Sequence, residues 1–260
     1  MPRRARRQSE SGIYHVILRG TNRQEIFHDD YDRLRFIETL KRFKADEAYR
    51  VLGWCLMNNH IHLLLQEGKL DLADIMKRIG VSYVWYYNRK YDVVGHLFQD
   101  RYKSEAVEHD AYLLSVIRYI HQNPVKAGIV KQPAEWRWSS CAAYYGNDIY
   151  PPELLDRTFI LSMFSRNDDK AVDWFKEFNE KKHTDVCLDD TGMMRLTDEK
   201  AREEIKKLIA PVGIQEIKSL SKDQRNELLS KIKKIKGITH RQAARILGVS
   251  PNLIFKAKKE

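Results

Sequence analysis

Residues 49–66 read Tyr-Arg-Val-Leu-Gly-Trp-Cys-Leu-Met-Asn-Asn-His-Ile-His-Leu-Leu-Leu-Gln. Two runs rich in aliphatic, β-branched and aromatic residues, Tyr49 to Met57 and His60 to Gln66, flank Asn58-Asn59. Asparagine tolerates turn geometry, so the stretch predicts an antiparallel hairpin. Working outward, Ile13 to Arg19 has strand composition and ends at Gly20, and Asp29 and Asp30 cap a helix carrying Leu34, Ile37, Leu40 and Phe43. Downstream, residues 70–91 hold Ile75, Ile79, Val84 and Tyr87 at helical spacing, and Leu97 to Val107 reads as a strand. A helix from about Asp110 to Gln122 is expected to stop at Asn123-Pro124, because proline disfavours helical geometry in the residue before it. Strand, helix, hairpin, helix, strand, helix is an α+β order: an antiparallel sheet with helices on one side.

This first domain is expected to close after Trp136 to Ser140, giving boundaries of 1–147. A helical connector over 148–197 and an all-α C-terminal domain over 198–260 complete the predicted organisation. Cys187 to Thr197, with Asp189, Asp190 and Gly192, reads as a linker.

Charge narrows the function. Forty-six Lys and Arg against 36 Asp and Glu give a net +10, which suits a polyanionic partner such as nucleic acid. Four arginines fall within Met1 to Arg7, and residues 230–260 hold nine Lys or Arg against one Glu. The three cysteines, Cys55, Cys141 and Cys187, are odd in number and widely spaced. They exclude a disulfide framework and point to a reducing compartment. No apolar run approaches the roughly 18 residues of a membrane span, and none follows the basic N-terminus as a secretory signal requires. A cytoplasmic protein with no membrane partner is expected.

His60 and His62 alternate with Ile61, so in a strand both imidazoles face the same way, about 7 Å apart along the backbone. That spacing suits two ligands of one metal ion, although a half-polar sheet face is an equally ordinary place for such a pair. In the helix after Ala111, Tyr112 and Tyr119 lie seven apart and Asn123 follows Tyr119 by four, so all three share nearly one face. Leu113, Ile117 and Ile120 form a separate apolar stripe that would dock on the sheet. A helical tyrosine is commonly a half-buried core residue; beside an amide one turn away it also offers a nucleophile and a carbonyl ligand.

Several blocks in register go further. Asn59-His60-Ile61-His62-Leu63-Leu64 and Arg118-Tyr119-Ile120-His121-Gln122-Asn123-Pro124-Val125-Lys126-Ala127-Gly128 carry the match. Tyr14-His15-Val16, Arg19-Gly20, Asn22, Phe98 to Ser104 and Trp138-Ser139-Ser140 support it. With these, residues 10–145 resemble the single-tyrosine HUH transposases, in particular REP-associated tyrosine transposases and their insertion-sequence relatives. The resemblance implies a ferredoxin-like sheet with the His-hydrophobe-His motif on a central strand. It further implies that His60 and His62 hold Mg²⁺ or Mn²⁺, that Tyr119 is the nucleophile, and that Asn123, or less well Gln122, completes the metal site. Tyr112 is the second choice for the nucleophile. The implied reaction cleaves and rejoins single-stranded or hairpin DNA, and relatives act either as homodimers or as monomers. Relaxases and replication initiators share this chemistry but carry a third histidine and another motif order. A DNA-binding regulator built on a retired catalytic domain is the alternative function.

Arg19, Arg101 and Lys103, beside Trp85, Tyr86, Tyr87 and Tyr102, are candidate DNA contacts that pair phosphate binding with base stacking. Ile238 to Lys256 resembles a helix-turn-helix: Thr239 caps a first helix, Gly248 turns, and Ser250-Pro251 starts a second. Asn252, Lys256 and Lys258 would then meet a major groove or its phosphates.

Overall fold

The computed structural model describes residues 8–45, 48–148, 150–182, 187–188, 196, 198–235 and 237–257. The basic stretch Met1 to Arg7, Lys258 and most of the expected linker lie outside the described residues. The chain divides into two compact units, Met1–Leu188 and Asp189–Glu260. No described helix is long and apolar enough to cross a membrane.

In the first unit, β1 (Ile13–Arg19), α1 (Asp30–Lys44), β2 (Tyr49–Leu56), β3 (His60–Glu67), α2 (Leu72–Tyr91) and β4 (Lys103–Ala106) form a βαββαβ succession. The sheet order is β2-β3-β1-β4, and each neighbouring pair is antiparallel. That is the ferredoxin-like arrangement expected. A capping box starts α1: Asp29 accepts from the Asp32 amide, and Asp32 accepts in return from the Asp29 amide.

Side-chain alternation gives the sheet two unlike faces. Tyr14, Val16, Leu18, Trp54, Leu56, Ile61, Leu63 and Leu65 pack with α1 and α2 in one apolar cluster. Ile13, Leu52, Cys55 and Leu64 pack with Leu113, Val116, Ile117 and Ile120 of α3 (Asp110–Lys126) in another. The two crossover helices therefore share one side as predicted, but α3 covers the opposite side. A tally of helices could not assign sides, because α3's apolar stripe fits either face of a sheet buried on both. Gly53 is what lets α3 approach: a Cβ there would lie 2.3 Å from Ile117 Cδ1.

Three other expectations shift. The strand expected over 97–107 shrinks to four residues, because Leu97 to Gln99 instead bond around Gly20 and Asp100 caps the Arg101 amide in a turn. Helix α3 runs through Pro124 to Lys126 and stops at Gly128, whose φ is +71°. The proline does not end the helix; the left-handed Gly128 does, as the Gly128 and Ile129 amides bond back to the Val125 and Pro124 carbonyls. The connector residues pack within the first unit: α4 (Cys141–Tyr144) and α5 (Arg157–Leu161) precede α6 (Asp168–Glu180), which lies along α3. Residues 155–156 pair with Val51 on the exposed edge of β2, which blunts that edge.

The second unit comprises α7 (Asp198–Ile209), α8 (Lys222–Ile232), α9 (His240–Leu247) and α10 (Pro251–Lys256) around its own apolar cluster. Thr239 caps α9, Gly248 ends it in the left-handed region at φ +64°, and Ser250 caps α10. Those are the turn residues the sequence placed there.

Candidate active site

The register of the sheet assembles the site. His62 faces Ile17 and His60 faces Arg19 across the β1–β3 pair, while Ile17 faces Lys103 and His15 faces Glu105 across β1–β4. His15, Arg19, His60, His62, Lys103 and Glu105 therefore share the face that α3 covers. Tyr119 comes down from α3 onto the histidines. Its ring centroid lies 5.7 Å from His62 and 5.9 Å from His15, and His60 lies 5.0 Å from His62. Tyr119 is 6% exposed and His62 1%. Asn123, one turn on, donates its amide N–H to the Tyr119 carbonyl at 2.8 Å. Lys126, one turn further, places its ammonium 4.4 Å from the Tyr119 ring centroid.

The ring nitrogens are oriented from behind. Asn59 donates its amide N–H to the Arg23 carbonyl, so its carbonyl oxygen must accept from His60 Nδ1 at 2.7 Å. His60 then carries its proton on Nδ1 and its lone pair on Nε2. His62 Nδ1 lies 3.0 Å from His15 Nε2, with the two rings stacked at 5.3 Å. His62 Nε2 is buried and has no hydrogen-bond partner among the described residues. Burial drives His15 down to about 3. It also holds His62 well below the ordinary 6.5, helped by the charges of His60, His15, Arg19 and Lys126. Both rings are neutral at pH 7, the form in which imidazole binds a metal.

The hairpin turn is fixed on several sides. The Asn58 carbonyl accepts from the Ile26 and Phe27 amides, and that of Asn59 from the Gly20 amide. Arg33, packed among Phe27, Trp136 and Trp138, donates to Asn58 Oδ1 at 2.7 Å.

Of the residues singled out from sequence, His60, His62 and Tyr119 come together, and Asn123 lies one turn along α3 with its amide N–H tied to the Tyr119 carbonyl. Tyr112 does not join them: its hydroxyl donates to Glu105 at 2.5 Å, and burial with that carboxylate pushes its pKa up. Gln122 is committed elsewhere, donating to the Asn179 and Lys181 carbonyls. His121 sits in the core against Ser140 and Asn179. Arg19 and Lys103 lie on the histidine face, and Arg101 is exposed in the turn before β4. Tyr86 and Tyr87 are spent on the opposite side, bonded to Asp32 and His28, while Trp85 is exposed on α2. Asn252 and Lys256 are exposed on α10 of the second unit. Sequence reading gave no role to His15, Asn59 or Lys126. Asn59 is adjacent to His60 and could have been read as its orienting group, but the His15 contact depends on strand register and had no local signal.

The first part of the chain is similar to known transposases. The family model described as "Transposase IS200 like" matches residues 8–123. A REP-associated tyrosine transposase of Escherichia coli is 24% identical over 131 residues, covering 50% of this chain and 75% of the relative. A putative REP-associated tyrosine transposase of Haemophilus influenzae is 24% identical over 159 residues, covering 56% and 88%. A solved structure of a REP-associated tyrosine transposase bound to a REP hairpin aligns with a TM-score of 0.47 at 22% identity, over 58% of this chain and 89% of that one. Residues 8–123, which hold the paired histidines and the helix tyrosine, are thus similar to the IS200-like transposases.

Proposed function

We propose that the first unit cuts and rejoins single-stranded DNA by transesterification through Tyr119, with His60, His62 and Asn123 holding a divalent cation. The observation that carries this reading is the approach of the Tyr119 ring to His62, whose oriented ring lies 5.0 Å from that of His60 on one sheet face. The orphaned, buried Nε2 of His62 fits a metal ligand, and His60 offers its Nε2 in the same tautomer. The donor set is two imidazoles and one amide oxygen, which suits Mn²⁺ better than the oxygen-seeking Mg²⁺. A cation bound there would polarise the scissile phosphate and offset charge on its oxygens.

Tyr119 Oη attacks phosphorus as the bond from phosphorus to the 3′ oxygen breaks, leaving a 5′-phosphotyrosine and a free 3′-hydroxyl. The proton given up by the phenol is balanced by the one the departing 3′ oxygen takes up. The ester energy is kept in the phosphotyrosine, so attack by another 3′-hydroxyl reverses the step without a nucleotide cofactor. The Lys126 ammonium over the Tyr119 ring favours the phenolate and is placed to meet phosphate oxygens. Asn123 ties its amide N–H to the helix backbone, which leaves its carbonyl oxygen as the ligand atom. The tyrosine lies against histidines of its own chain, which supports action in cis.

Arg19 and Lys103, on the histidine face, and the exposed Arg101 are proposed as phosphate contacts for the single strand. In the second unit, α9 and α10 are proposed as a helix-turn-helix that holds duplex DNA through Asn252 and Lys256. The test is capture of a covalent adduct: labelled single-stranded hairpin DNA with Mn²⁺, run on a denaturing gel. Wild type should give a shifted band that Tyr119→Phe and His60→Ala abolish. Tight binding with no adduct from wild type would instead favour a regulator built on a silent catalytic domain.

A further inference from the structure

We infer that His15 is the positioning residue that fixes the ring and tautomer of His62, so that the metal pair depends on a third histidine contributed by another strand. The inference rests on the metal reading of His60 and His62. His15 is fully buried on β1 with its Nε2 3.0 Å from His62 Nδ1. Its ring stacks on His62 at 5.3 Å and meets the Tyr119 ring edge-on at 5.9 Å. It therefore touches both the proposed ligand and the proposed nucleophile, while lying behind them.

A contact between two ring nitrogens at this distance holds a single proton. If that proton sits on His15 Nε2, His62 must carry its own on Nε2, where no acceptor waits and no cation can bind. If it sits on His62 Nδ1, His62 presents a bare Nε2 to the site, and His15 receives the bond on its own bare Nε2. Each arrangement leaves one buried N–H and one lone pair without a partner, at His62 Nε2 and His15 Nδ1. A cation site at His62 Nε2 selects the second. The requirement on residue 15 is thus specific: an acceptor, at the reach of an imidazole Nε2, on the β1 position beside His62. Ligand histidines are ordinarily oriented in this way by a carboxylate or a carbonyl, and loss of such a partner weakens metal binding by ten- to a hundredfold. Asn59 serves His60 in the ordinary manner; His15 does so for His62 with an imidazole.

The test measures Mn²⁺ binding to the full chain by the loss of the free-ion electron paramagnetic resonance signal, without DNA. Wild type is compared with His15→Gln and His15→Met, side chains of nearly equal length, the amide oxygen a strong acceptor and the thioether a weak one. Thermal unfolding in chelator verifies that each is folded. Binding by His15→Gln should stay close to wild type, while His15→Met should bind at least about tenfold more weakly. Adduct formation by His15→Met should recover at saturating Mn²⁺, as a defect in metal affinity requires. Equal binding by all three proteins, or equal weakening of both variants, overturns the inference and makes His15 a packing residue. If His15→Met does not fold, His15→Asn, whose amide stops short of His62, takes its place with the same expected loss. Wild type that takes up no Mn²⁺ overturns the metal reading and this inference together, which separates the two failures.

Discussion

Gly53 offers the sharpest test of how α3 is seated over the sheet. A methyl group at residue 53 would lie 2.3 Å from Ile117 Cδ1 and 3.5 Å from Ser140 Oγ. Carbon atoms settle at about 3.5–4.0 Å, so Gly53→Ala demands a shift of more than about 1 Å from a side chain with 0% exposure. Over-packing of this kind costs about 1–3 kcal/mol. Ile117→Val removes the offending Cδ1 and by itself costs about 0.5–1.5 kcal/mol as a buried methyl deletion. In the double variant the clash is gone, so its loss should be near that of Ile117→Val alone, with a coupling of about 1–3 kcal/mol, the whole cost of the clash. All five tryptophans, at positions 54, 85, 136, 138 and 174, belong to the first unit. Tryptophan fluorescence in a urea titration therefore reads that unit separately. A Gly53→Ala variant as stable as wild type, or strict additivity in the double variant, would refute the claim that α3 docks through this contact.

Other expectations follow from contacts away from the clash. Tyr112→Phe should keep adduct formation and lose about 1.5–3 kcal/mol of stability, the value of a hydrogen bond to a charged group such as Glu105; loss of the adduct would move the nucleophile to Tyr112. His121 is held near 3, mainly by burial and against the raising effect of Asn179, below the ordinary 6.5. The unfolded chain therefore binds this proton more readily, and stability should fall as pH drops below 6.5, by about 2 kcal/mol at pH 5 from this residue. His121→Gln should flatten the urea-midpoint profile between pH 6 and 4, and an unchanged slope would contradict the buried neutral ring. Asp32 is fully buried and accepts from Lys90, Tyr91, Tyr86 and the His28 amide. Asp32→Ala leaves two hydroxyls and the His28 amide without that acceptor, while Lys90 keeps Asp29, and should cost about 1–3 kcal/mol in the same titration.

How much the sequence disclosed depends on the range of each interaction. The hairpin around Asn58-Asn59 and the β1 and α1 boundaries were legible because turn chemistry, capping and periodicity are local. The paired histidines on one face followed from strand alternation, and the placement of Tyr119 and Asn123 from helix spacing. What escaped reading is set by tertiary packing. The side of the sheet that α3 covers depends on the room left at Gly53, which no periodicity reveals. Leu97 to Gln99 have strand composition, yet Gly20 and the Asp100 turn divert them. Pro124 looked like a helix end, whereas the stop is set four residues later by the left-handed Gly128. Residues 150–182 read as a connector, and their burial against α3 rests on His121, Gln122 and Asn179, polar groups whose partners lie nearly sixty residues apart in the chain. The His15–His62 contact spans a separation of 47 residues and exists only through the β1–β3 register.

The most direct measurement maps the adduct to one residue. Wild type would be trapped with single-stranded hairpin DNA and Mn²⁺, digested with nuclease and trypsin, and sequenced by mass-spectrometric fragmentation. Trypsin cuts after Lys103, Arg118 and Lys126, which separates the peptide bearing Tyr112 (104–118) from that bearing Tyr119 (119–126). The account predicts a nucleotide joined through its 5′-phosphate to Tyr119, with peptide 104–118 unmodified. A nucleotide on Tyr112, or one joined through its 3′-phosphate, would contradict it.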